Sequence, residues 1–451
     1  MHFAKKAALA AVVFGTLFVT SCKKQAADDT TPPGPSADDL VKDSALDAAR
    51  DVYLWYKQIP STFNARNYAD PDTIMRAIRK YSTEPNFSAP VDRWSFAMKQ
   101  ADWDNVSSGI SGDFGLNVFF LDASDLRVKL VEAASPAGKA GIRRGWRITK
   151  INGSTAINTN NIDFIINAIF YSTNSSFTFE KPDGSSVDVT LNAATYQENP
   201  VVLDSVYTVD GKKIGYFSFN SFLGDTTQVY TAFGSIFSKF AAQQVNDVIV
   251  DLRYNGGGYV SVQEKLADYL APLAADGDIM MQQQFNDKYQ QYNSVDRFQK
   301  LGTLNLPRLF FIVSNNTASA SELLINNLRP YMDVQLVGPR KTYGKPVGFF
   351  PIPVGDWYVF PVSFRTTNKN GEGSYFGGLD LNKQVADGLD KDWGDLQESC
   401  LASVVNYIKN GAYLGQATRT AAITEKPEVV RSNDIFARPA FKGTIDARRI
   451  H

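Results

Sequence analysis

From residue 196 onward, apolar stretches of strand length alternate with stretches whose apolar residues recur at helical spacing, and few folds accept that pattern. Residues 215–220 read as a strand, 226–243 as a helix with Val229, Phe233, Ile236, Phe237 and Phe240 on one face, and 247–252 as a buried strand. The alternation repeats with a helix at 260–270, a buried strand at 308–313, a helix at 320–328, a strand at 334–337 and a longer one at 357–364. Uninterrupted apolar strands need cover on both faces, so 196–410 is expected to be a layered α/β core.

The residues before it have two other textures. Between 40 and 104, Val41, Ala45, Ala48, Val52 and Trp55 recur at helical spacing, and Ile74, Met75 and Ile78 follow the start signal Asp70-Pro71-Asp72, which predicts a small helical domain. Over 105–195, short β-like runs at 115–121, 127–131, 177–180 and 186–191 are separated by glycine, serine and asparagine turns, with one amphipathic helix near 162–170. This predicts a compact β-rich module. Residues 411–451 hold seven basic and four acidic residues with weak periodicity, and an irregular tail is expected there.

The amino terminus has the layout of an export signal: Lys5 and Lys6, a thirteen-residue apolar run over 7–19, then Ser21-Cys22. The run is too short to span a bilayer comfortably. It resembles a bacterial lipoprotein signal, which implies removal of 1–21, acylation of Cys22 and an exported protein anchored at a membrane of the cell envelope. Residues 22–39 are nearly devoid of apolar side chains and are expected to form a disordered tether.

Composition removes several function classes. With 46 Lys and Arg against 47 Asp and Glu, no basic surplus favours nucleic acid. Two cysteines, Cys22 and Cys400, and two histidines, His2 and His451, cannot furnish a disulfide framework or a Cys/His zinc site. After loss of the leader the last residue is the one remaining histidine, so Ser/His/Asp chemistry is improbable. Cys400 has no histidine to pair with. A hydrolase built on this chain therefore needs Lys, Asp or Glu as its base.

Three segments carry the right chemistry. Ser314-Asn315-Asn316-Thr317-Ala318-Ser319-Ala320-Ser321-Glu322 joins a buried strand to a helix, where free N–H groups and the helix dipole favour developing negative charge. Read alone, Ser319 and Glu322 are more simply a capping box. Asp251-Leu252-Arg253-Tyr254-Asn255-Gly256-Gly257-Gly258 follows another buried strand, and its glycines let backbone N–H groups approach a ligand. Lys345, in Thr342-Tyr343-Gly344-Lys345-Pro346, becomes a neutral base if burial lowers its pKa. Ser321 and Lys341 are the competing nucleophile and base.

In this order the segments resemble the carboxyl-terminal processing, or tail-specific, peptidases, which use a Ser/Lys dyad. Leu54-Trp55-Tyr56 with Ile59-Pro60 and Gly377-Gly378-Leu379-Asp380 extend the likeness over 40–400. It implies a crotonase-like layered α/β protease core, Ser319 as nucleophile, Lys345 as general base, and oxyanion donors from Gly257 or Gly258 and from Ala320. No cofactor or metal is implied. Phe114-Gly115-Leu116-Asn117 and the run from Ser135 to Gly153 resemble a PDZ domain of the bacterial protease type, implying capture of a polypeptide's free, unstructured C-terminus at 114–117. The sequence departs from the family at Phe349, where a glutamine usually orients the lysine, at Pro346, and at Asn117 and Trp146 in the module. Glu322 or a carbonyl remains as the orienting group. The alternatives are a noncatalytic surface lipoprotein that binds peptide C-termini and a crotonase-like acyl-transfer enzyme, the latter explaining neither the module nor Lys345.

Overall fold

The computed structural model describes residues 34–415, 426–436 and 441–446. The expected signal, Cys22 and residues 22–33 of the expected tether lie outside them. Helix α1 (Ala37–Val52) begins three residues before the expected tether ends, because Ser36 and Asp39 form a reciprocal capping box. Helix α2 (Pro71–Ile78) starts on the Asp70 cap with proline at its first turn. Strand β1 (Phe96–Lys99) and helix α3 (Gln100–Ser108) follow. β1 pairs antiparallel with Trp357–Phe360, so the amino-terminal helices share one apolar cluster with Val347, Phe349, Phe360 and Ile445.

The β-module is a five-stranded antiparallel sheet of β2 (Leu116–Asp122), β3 (Asp125–Val131), β4 (Arg147–Ile151), β5 (Asn174–Glu180) and β6 (Ser186–Asn192), in chain order across the sheet. Alternate residues point inward: Leu116, Val118 and Phe120 from β2 meet Leu126 and Val128 from β3. Helix α4 (Ile162–Ile166), continued by a π-helical turn at Asn167–Tyr171, covers this face between β4 and β5. β2 is left as a sheet edge.

The core starts with the hairpin β7 (Val201–Val209) and β8 (Lys212–Phe219), then α5 (Thr226–Ala242), β9 (Asp247–Asp251), the short β10 (Gly257–Tyr259), α6 (Val260–Leu270), β11 (Arg308–Ile312), α7 (Ala320–Leu328) and β12 (Asp333–Gly338). Its six-stranded sheet runs Lys383–Gln384, β12, β11, β9, β8, β7, parallel except for the β7–β8 hairpin. The period of two sorts the strands onto two cores. Phe217, Val248, Val250, Leu309 and Phe311 pack under α5, α6 and α7, while Tyr216, Ile249, Phe310 and Ile312 pack under α8 (Ser399–Asn410). The single strand expected over 357–364 is two, Trp357–Phe360 and Phe364–Thr367, in different sheets. Pro361 has no N–H to continue the ladder.

The tail differs most from expectation. It contains a ten-residue helix, α9 (Pro427–Phe436), packed on the β-module, and a strand, β13 (Gly443–Ile445), beside β10.

A buried ionic network fastens these parts together. Arg253, at the root of the glycine segment, donates to Asp251, Asp387 and Glu398, and Arg144 of the β-module donates to the same Asp387 at 2.6 Å. The two guanidiniums hold the Asp387 carboxyl well below its ordinary range against the effect of burial. Removing one partner leaves uncompensated buried charge, so Arg253→Met is expected to cost about 3–5 kcal/mol of stability. Urea unfolding measures this, and a loss under about 1 kcal/mol, the range of a surface pair, contradicts a structural role for the network.

Candidate active site

Ser319 lies where the chain turns from β11 into α7, fully buried, with φ +60° and ψ −111°. A β-carbon makes such a backbone cost about 1–3 kcal/mol, so neighbouring bonds must impose it. Leu323 N–H donates to Ser319 O at 2.7 Å, Ser319 N–H to Glu322 Oε2 at 2.8 Å, and Ala318 N–H to Asn255 O at 3.1 Å.

Glu322 is the hub. Its Oε2 accepts from the backbone N–H of Ser319 and of Lys345, each at 2.8 Å, and its Oε1 accepts from Gly344 N–H at 2.6 Å and the Thr342 hydroxyl at 2.5 Å. One carboxylate thus clamps the serine turn to the lysine loop. Burial pushes its pKa up, and these hydrogen bonds pull it down. The capping-box reading of Glu322 holds for its bond to Ser319 N–H, but the same side chain also fixes the backbone that carries Lys345. The Gly377-Gly378-Leu379 segment braces that loop from outside, Leu379 N–H donating to the Thr342 hydroxyl at 2.7 Å.

Lys345 is 1% exposed, and burial drives its pKa well below the ordinary lysine value although the carboxylates of Asp92 and Glu322 oppose the shift. Its Nζ lies 3.4 Å from the centre of the Phe349 ring and donates to Lys442 O at 3.3 Å. A ring face therefore stands where the family pattern has an amide. Of the competing candidates, Lys341 is exposed beside Asp380, and the Ser321 hydroxyl donates to Asn255 O at 3.1 Å.

The glycine segment is bolted to the serine turn: the Thr317 hydroxyl donates to Leu252 O at 2.8 Å and the Ser314 hydroxyl to Arg253 O. Gly257 and Gly258 have φ of +105° and +142°, and a β-carbon on Gly258 would fall 2.3 Å from the Phe222 backbone. Gly257 N–H is taken by Asn255 Oδ1 at 2.9 Å. Of the two glycines expected as oxyanion donors, Gly257 is thus already engaged within its own segment. A β-carbon on Gly257 would lie 3.0 Å from Ala320 N, which shows how close the two loops come.

Two tail residues that the sequence reading did not single out also meet this site. The hydroxyls of Ser319 and Thr444 are hydrogen-bonded to each other, and Lys442 O receives the Lys345 amine, so both candidate catalytic groups face β13.

The expected carboxylate loop, 114–117, lies in the β-module away from these groups. Phe114 is a core residue, Leu116 and Asn117 pair with β3, and Gly115 N–H donates to the Asp113 carboxylate at 2.7 Å. A carboxylate of the chain itself fills that place. Cys400 is buried under the core sheet with its thiol pKa pushed up, the opposite of what a thiolate nucleophile needs.

Comparison with known proteins bears on the fold and the family. Residues 213–376 match the family model of peptidase family S41, and residues 41–96 match the peptidase S41 N-terminal domain. Among solved structures, an S41 protease of Bacteroides fragilis superposes with a TM-score of 0.67 at 23% identity, over 81% of this chain and 97% of that one, which shows a shared fold. The photosystem II D1 C-terminal processing protease aligns at 18% identity and TM-score 0.47, over 78% of this chain and 94% of its own. No curated protein sequence matches this chain.

Proposed function

We propose that this chain, which carries the two domains of peptidase family S41 and is on that ground a serine-type peptidase, hydrolyses polypeptides through a Ser319/Lys345 dyad and prefers segments near an unstructured C-terminus. The observation that carries the dyad is a strained, buried serine and a lysine whose pKa burial lowers, both backbones clamped by Glu322 beside the glycine segment. Ser319 Oγ attacks the scissile carbonyl while Lys345 takes its proton and passes it to the leaving amine. Gly258 and Ala320 N–H groups stabilise the oxyanion, and water then hydrolyses the acyl-enzyme.

The β-module, in this reading a PDZ-like domain, holds the substrate along the edge of β2, and a substrate carboxylate replaces Asp113 at Gly115 N–H. The mature protein is tethered through acylated Cys22 to a membrane of the cell envelope. The test is cleavage of an unfolded protein in large excess by residues 23–451, with the substrate's C-terminus free or amidated and the cuts mapped by mass spectrometry. Amidation is expected to lower kcat/KM about tenfold, the loss of one charged contact of about 1.4 kcal/mol. Equal rates remove C-terminal capture, and absence of any cut removes the peptidase.

A further inference from the structure

We propose that residues 426–436 and 441–446 are a two-part intramolecular inhibitor: α9 occupies the peptide edge of the β-module, β13 occupies the catalytic cleft, and substrate gains the cleft by displacing the helix. The inhibitor role rests on the Ser319/Lys345 reading. The occupancy of both places rests on geometry alone.

At the module, the Asn433 side chain does what an added strand would do. Its Oδ1 accepts from Phe120 N–H at 2.8 Å and its Nδ2 donates to Phe120 O at 3.0 Å, closing the free edge of β2. Val429, Ser432 and Phe436 form the buried stripe of α9, and the Phe436 ring packs on Phe120 and Phe170 at 5.7 and 6.2 Å. The groove thus accepts an amphipathic helix bearing a side-chain amide. On its other side α9 borders a cavity of about 410 Å³ lined also by Phe119, Lys129 and Tyr254, so it is held mainly by its module face.

In the cleft, β13 is bonded on both flanks. Gly443 N–H donates to Gly256 O at 3.0 Å, while Phe349 N–H donates to Thr444 O at 2.9 Å and Asp446 N–H to Phe349 O at 3.0 Å. In a parallel ladder of this register the next rung runs from Gly258 N–H to Gly443 O, which sets a tail carbonyl at the assigned oxyanion donor. With Thr444 on Ser319 and Lys442 O on Lys345, the groups of Ser319, Lys345 and Gly258 are engaged by three consecutive tail residues. Four residues separate Phe436 from Phe441, a span of at most about 17 Å. Helix and strand are therefore tightly coupled, and loss of the helix lowers the effective concentration of the strand at the cleft.

The test compares residues 23–451 with the same chain carrying Asn433→Ala and Phe436→Glu, reading cleavage of a reduced, carboxymethylated protein and hydrogen exchange of the Phe120 and Phe349 amides. Release is expected to speed exchange at both amides and raise the initial rate at least tenfold. Asn433→Ala alone, which buries no charge, is expected to raise it about threefold and keeps the test valid if Phe436→Glu disturbs folding. Amides that stay protected, or that open while an active enzyme gains no rate, overturn the proposal. If the amides open and every form is inert, the dyad reading fails and the inhibitor role with it, while the helix is still shown to hold the strand. Loss of 444–451 from purified wild type but not from Ser319→Ala identifies a processed substrate and overturns the inhibitor.

Discussion

Ser319→Ala and Lys345→Met are each expected to reduce cleavage of an unfolded protein by about 10⁴-fold or more, because groups that act as a unit fail together. The double variant is expected to be no worse than either single one. Lys345 adds a signature in pH. The base must be neutral, and burial has moved its pKa well below the ordinary lysine value of 10.5, so kcat/KM should rise as pH climbs through that lowered value and level off above it. A profile that keeps rising to the pKa of a solvated lysine, or Lys345→Met retaining a tenth of the wild-type rate, excludes Lys345 as the base.

The same shift has a consequence for stability. Unfolding exposes Lys345 to water, where it is protonated below pH 10.5, so the unfolded chain binds the extra proton. Stability therefore rises with pH between the lowered folded value and 10.5, and at neutral pH the lysine is a liability. Met fills similar volume and packs its sulfur against the Phe349 ring, so Lys345→Met should be inactive yet melt about 2 °C or more higher. A lower Tm at pH 7 indicates that the amine's bond to Lys442 O outweighs its desolvation.

Local rules read much of this molecule from its sequence, and long-range pairing supplied the rest. Helices α6 and α7 begin and end where apolar spacing places them, and the strands expected at 215–220, 247–252, 308–313 and 334–337 fall within three residues of their apolar runs. Ser319 and Lys345 stood out through their small-residue and glycine neighbours. Glu322 was legible as a cap, but nothing at residue 322 signals that a loop twenty residues away will present it with three more donors. Asp92 carries no local mark of its place near Lys345. The tail was misread because Phe441-Lys442-Gly443-Thr444-Ile445 is too short for a periodicity, and its strand exists only against β10 and Phe349. Helix α9 is likewise fixed by one amide and two apolar side chains meeting an edge more than 300 residues away.

The clamp itself yields the other large effect. Glu322→Ala strips acceptors from four donors, those of Ser319, Thr342, Gly344 and Lys345, in a site without solvent. At about 1–3 kcal/mol for each buried group left unpaired, with partial relaxation, a loss of about 3–5 kcal/mol in stability is expected. Activity should fall by at least 10²-fold at temperatures where the variant is still folded, since the serine turn loses the bond that holds its strained backbone. Glu322→Gln discriminates between charge and shape. Both oxygens of Glu322 accept, so the amide must turn its NH₂ toward either the Ser319 and Lys345 N–H pair or the Gly344 and Thr342 pair. Gln is therefore expected to fail nearly as badly as Ala despite its matching volume. If Gln instead restores stability and rate, the clamp works by packing, and the four hydrogen bonds do not hold the dyad in place.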